Sequence, residues 1–95
     1  MRITMDEIVN AVCVNMAERY EVPVTSVEVE LLYDEDQGFS AEVTIQERSR
    51  ILIEANLKEA IMRYMLTEYD QRVYPSQIQL DVEDEIWADI SEETE

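Results

Sequence analysis

Chemistry near neutral pH would have to rest on carboxylates, tyrosines or one thiol, because this chain contains no histidine. That removes the commonest general base and neutral metal ligand, and with it Ser–His–Asp, Cys–His and histidine–zinc arrangements. Cys13 falls on an apolar helical stripe in a strongly acidic chain. Such a setting raises a thiol pKa instead of activating the thiol, so Cys13 reads as a core residue. Asp34, Asp36 and Gly38 in DEDQG look like the start of a calcium loop. The glycine comes fifth instead of sixth, however, and the twelfth residue, where a bidentate acid is needed, is Ile45. An acidic hairpin turn closed by glycine accounts for the motif. Glu28, Glu30 and Glu42 share one strand face, but paired-carboxylate hydrolysis needs a cleft that holds a sugar, and an outer sheet face offers none. No catalytic residue, metal ligand or cofactor site is assigned.

Binding is the better use for these side chains. The alternation of the strands places Glu28, Glu30, Leu32 and Glu42 on the outward face of one hairpin. It turns Trp87 and Asp89 outward on a second hairpin, beside that face. Leu32 and Trp87 would supply anchor area, and the carboxylates would steer a basic partner. Tyr74, before Pro75, is a further candidate for the same patch.

The charge balance narrows the partners. Acidic residues number 23 against 7 basic ones, a net of -16, while apolar residues still make up 46% of the chain. Such a surface repels phosphate backbones and anionic membranes, so neither nucleic acid nor a membrane is expected as a partner. No apolar run approaches the roughly 18 residues that cross a bilayer, and no signal-peptide pattern opens the chain. Together with an unpaired cysteine, this points to a reduced, cytoplasmic setting. Lysine is nearly absent, with Lys58 alone, which also suits a salt-adapted protein.

The elements that must position these residues follow from periodicity. Thr4 and Glu7 form a capping box, and Ile8, Val12 and Met16 with Val9, Cys13, Ala17 and Tyr20 make an apolar stripe, predicting a helix over 5–20 that ends before Pro23. Val27, Val29, Leu31 and Tyr33, then Phe39, Ala41, Val43 and Ile45, predict a β-hairpin with one dry face. RILIE follows a polar turn at 46–49, and Ile51 and Ile53 are expected to join that dry face as a third strand. Asn56 and Glu59 repeat the capping pattern and open a second helix over 57–69. Ile78, Leu80 and Val82, then Ile86, Ala88 and Ile90, predict a second hairpin with a shorter acidic turn.

The expected fold is α+β: one antiparallel sheet with two amphipathic helices on one face, in the order α-β-β-β-α-β-β. Residues 1–95 form a single domain with an internal αββ repeat, a first unit at about 4–45 and a second at about 56–90, and residues 91–95 read as an acidic tail. Pro23 and Pro75, Val27 and Ile78, and Ala41 and Ala88 correspond between the units.

Three stretches, VEVELLYDED at 27–36, GFSAEV at 38–43 and ILIEANLKEAI at 51–61, carry a resemblance that runs over most of the chain. The chain resembles the YxcD-like family of small uncharacterised proteins from Bacillus and related Firmicutes. The resemblance implies a small cytosolic α+β domain and carries over no functional residues. The reading that emerges is a non-enzymatic interaction module whose partner is another protein, a second copy of the chain included. The rivals are a nucleic-acid-mimicking inhibitor and a carboxylate hydrolase that recruits a divalent metal at Asp34 and Asp36.

Overall fold

The computed structural model describes residues 1–91; most of the expected acidic tail lies outside the described residues. Helix α1 spans Met5–Tyr20 and opens as its capping residues require. The Thr4 hydroxyl accepts from the Glu7 N–H (3.3 Å), and a Glu7 carboxylate oxygen accepts from the Thr4 N–H (3.2 Å). Helix α2 spans Glu54–Tyr69, starting three residues before the expected Leu57. Asn56 is thus a first-turn residue and not the cap, and its side-chain oxygen reaches back to accept from the Ile53 N–H (3.1 Å). Both helices end on a non-glycine residue in the left-handed region, Glu21 (φ 57°) and Asp70 (φ 53°).

The strands are β1 (Arg2–Ile3), β2 (Val27–Asp34), β3 (Gly38–Ile45), β4 (Arg48–Ile53), β5 (Ile78–Val82) and β6 (Ile86–Ile90). The α+β class and the element order are as expected, with β1 added in front. The expected single sheet is instead two antiparallel sheets of three strands, ordered β2-β3-β4 and β1-β6-β5. One core joins them. It contains Ile8, Val12 and Met16 of α1, Leu57, Ile61 and Met65 of α2, Ala41, Val43 and Leu52 of one sheet, and Ile78, Ala88 and Ile90 of the other. The thinnest extent of the molecule, 19 Å, matches about one helix layer on one sheet layer.

The helices run antiparallel. Tyr69, at the end of α2, reaches Glu7 at the start of α1, and Arg63 of α2 pairs with Glu18 near the end of α1 (3.3 Å). Their buried faces repeat at a constant shift of 49 positions: Ile8, Ala11, Val12 and Met16 recur as Leu57, Ala60, Ile61 and Met65. The repeat also extends to the strand before each helix. Buried Ile3 of β1 pairs with Ala88 of β6, and buried Leu52 of β4 pairs with Ala41 of β3. Each helix is therefore preceded by a strand that pairs with the hairpin following the other helix. This exchange of first strands ties the two halves together by backbone hydrogen bonds as well as by the core. At the second sheet the exchange extends to Met1, whose carbonyl accepts from the Ile90 N–H (2.6 Å).

The strand β4 presents the opposite face from the one expected. A two-residue loop, Gln46 (φ 53°) and Glu47 (φ 68°), joins β3 to β4 and pairs Ile45 with Arg48. Residues opposed across an antiparallel pair share a face, so Arg48, Arg50 and Leu52 take the helix side. Leu52 is buried, while Ile51 and Ile53 are 58% and 61% exposed on the outer side. The dry face of the first hairpin is also graded, from buried Val27 to exposed Tyr33, because its tip extends past the core. There Tyr33 and Phe39 pack on each other, ring centroids 4.7 Å apart. The turn between them is closed by Gly38 at φ 83°, a conformation that side-chain-bearing residues rarely adopt.

Candidate interaction face

The outer face of β2-β3-β4 is built in three cross-strand rows. Leu32, Ser40 and Ile53 form one row, Glu30, Glu42 and Ile51 the next, and Glu28, Thr44 and Ser49 the third. The third row is closed by a hydrogen bond between the Thr44 and Ser49 hydroxyls (3.0 Å). Ile51 and Ile53, two residues apart on β4, are neighbours on this face, and Leu32 (36% exposed) lies two strands away across Ser40 in the row of Ile53. Single exposed aliphatics are ordinary, whereas three on one sheet face, interleaved with carboxylates, give that face a mixed apolar and acidic character. Glu30 and Glu42 face each other directly, a like-charge pairing that costs the free protein stability.

Of the residues expected to form one partner-binding surface, Glu28, Glu30, Leu32 and Glu42 do share this face. Trp87 and Asp89 do not share it, because β6 belongs to the other sheet. There Asp89 sits between Arg2 and Gln79, and Trp87 is opposite Asp81. The Arg2 guanidinium stacks 3.8 Å from the Trp87 ring centroid, covering one face of the half-buried indole. The indole Nε1 is shut away from solvent without a hydrogen-bond partner among the described residues. Tyr74 lines a cavity of about 240 Å³ with Met62, Leu66 and Val73, residues of α2 and the loop after it. Ile51 and Ile53 are the members that sequence reasoning missed. The signal was the loop length, since a two-residue turn at Gln46–Glu47 puts them outward.

Asp34 and Cys13, the other candidates for chemistry, each contact nearby backbone. One Asp34 carboxylate oxygen accepts from the N–H groups of Asp36 (2.7 Å) and Gln37 (3.3 Å), folding the acidic turn back on its own backbone. Among the described residues, no three acidic or cysteine side chains come together as a metal-binding group. Cys13 is half-buried, its thiol pushed up by burial, with Sγ 3.9 Å from the Val27 carbonyl. No helix among the described residues is long and apolar enough to cross a membrane.

A family model described as "Protein of unknown function (DUF2653)" matches residues 1–85. The chain belongs to this family. No curated protein and no solved structure matches it significantly. The matched region contains all of β2, β3 and β4, and hence the whole outer face; Trp87 and Asp89 fall beyond it.

Proposed function

We propose that the protein is a non-enzymatic, cytoplasmic interaction module that captures a protein partner on the outer face of β2-β3-β4, and that it is a YxcD-like, Bacillus-type member of its family. The observation that carries the binding role is the exposure of Leu32, Ile51 and Ile53 on that one face, interleaved with Glu28, Glu30 and Glu42. The three aliphatics supply area to desolvate, and the carboxylates supply charge that a basic partner complements. A second copy is the poorer partner, because each copy carries a net charge of -16 and would bring like-charged rims together. The three stretches VEVELLYDED, GFSAEV and ILIEANLKEAI support the placing within the family.

The test is an NMR titration of the labelled protein with an amphipathic leucine/lysine peptide, alongside light scattering at low and high salt. Saturable shifts centred on Leu32, Ile51 and Ile53, weakened by salt and removed in an Ile51→Ser/Ile53→Ser variant, are expected. Shifts spread over the whole acidic surface, or unchanged in that variant, overturn the assignment. A dimer that strengthens with salt and dissociates in the variant would make the partner a second copy.

A further inference from the structure

On the helix side of β4 the chain gathers positive charge that it could easily have neutralised. Arg48 and Arg50, two residues apart on one strand, share a face with Ile45 and Val43, their partners on β3. With Tyr20, Val22, Ile45 and Gln46 they line a cavity of about 460 Å³ between the end of α1 and the β3–β4 turn. Small-molecule sites commonly occupy roughly 300–1,000 Å³. Acidic residues outnumber basic ones 23 to 7 in this chain, yet among the described residues neither arginine has a carboxylate within ion-pair distance. Arg50 lies 4.8 Å from the centroid of the Tyr20 ring. Stacking of that kind holds the plane of a guanidinium and leaves its N–H edge open to an oxyanion.

We propose that this cavity is a binding site for a small organic oxyanion, a phosphate or carboxylate carried on an apolar or aromatic body. The two guanidinium groups take the oxyanion, and Tyr20, Val22 and Ile45 wall the apolar part. The charge of the whole protein opposes any anion, and Glu21 and Glu47 adjoin the lining residues in the chain. That opposition is screened over about 8 Å at physiological salt, whereas guanidinium–oxyanion hydrogen bonds act at contact distance and are among the strongest available. The same opposition grows with ligand charge, so it selects singly or doubly charged anions over polyphosphates. The competing account is that the arginine stems simply cover Tyr20 and Ile45.

Titration of the labelled protein with phenyl phosphate, benzoate and neutral phenol separates the two accounts. Saturable shifts at Tyr20, Gln46, Arg48 and Arg50 with phenyl phosphate, benzoate or both, but not with phenol, are expected, and the stronger of the two names the oxyanion. Arg48→Gln and Arg50→Gln, both at exposed positions, should each weaken binding at least about tenfold, or about 1.4 kcal/mol. No saturable shift up to about 10 mM of either anion, a range that reaches dissociation constants well into the millimolar, overturns the site. So does a response to phenol equal to that of the anions, or binding undiminished in the double arginine variant. The Ile51→Ser/Ile53→Ser variant, altered on the opposite face of β4, should bind the anions normally, which keeps this test independent of the protein-partner proposal.

Discussion

Tyr69 and Glu7 hold the ends of the two helices together through a single exposed hydrogen bond, the phenol donating to a Glu7 carboxylate oxygen at 2.8 Å. Glu7 thereby serves two purposes, since its other oxygen caps α1 at Thr4. The hydrogen bond to Glu7, before any other cause, pushes the Tyr69 phenol from its ordinary value near 10 up to about 12. A raised pKa means that the folded state favours the protonated phenol. The stabilisation is complete below pH 10 and is lost as pH climbs through 12. Melting temperature followed from pH 8 to 12 should therefore fall less steeply over the upper part of that range in Tyr69→Phe than in the parent. Parallel curves would show that the contact carries no linked stability.

The elements explain where strain and register reside. Glu21 and Asp70 both take left-handed conformations at helix C-termini, where glycine is the usual occupant and a negative charge opposes the helix dipole. Glu21→Gly and Asp70→Gly should each stabilise the fold by about 0.5–1 kcal/mol, a rise of about 2–8 °C in a domain of this size, measurable by thermal melts. A lowered melting temperature would mean that the unfolded-state entropy of glycine outweighs the relief of strain. For β4, the register makes a sharp contrast between neighbours. Leu52→Ala should cost about 2–4 kcal/mol, because it opens a cavity in the core, whereas Ile51→Ser and Ile53→Ser should stay within about 0.5 kcal/mol. Chemical denaturation of the three variants checks this, and the reverse order would restore Ile51 and Ile53 to the core. Helices and hairpins were legible from spacing alone because each has a polar side to contrast with its apolar one. The run Ile51-Leu52-Ile53 lacks that contrast, so its outward face, and with it two of the three exposed aliphatics, could not be read from periodicity.

At the scale of the molecule, a net charge of -16 bears on folding as well as on binding. Among the described residues, the ion pairs Arg63–Glu18 and Lys58–Glu54 are exposed or partly so, and such pairs contribute roughly 0–1 kcal/mol each. Self-repulsion among the carboxylates is the larger effect, and raising salt from about 0.05 to about 0.5 M shortens the screening length from about 14 to about 4 Å. The melting temperature should rise over that range. A fall would mean that the ion pairs outweigh the repulsion. Both proposed sites lie on opposite faces of the β2-β3-β4 sheet, and both depend on the two-residue turn that sets β4.

The sequence by itself determined the helices, the two hairpins, the acidic character, the α+β order and the first capping box, because each depends on residues close together in the chain. It determined as well that any binding face on the first hairpin would be acidic. Tertiary structure decided what depends on pairing between distant strands. β4 pairs with β3 across a two-residue turn, but the pairing of β1 with β6 joins opposite ends of the chain and leaves no local trace, and neither does the division into two sheets. That division removed Trp87 from the surface shared by Leu32 and the glutamates, and gave its ring to Arg2 instead. The turn at Gln46–Glu47 set the register, and register alone turned Ile51 and Ile53 outward and Arg48 and Arg50 toward the helices, since a one-residue shift in pairing reverses every side chain on a strand.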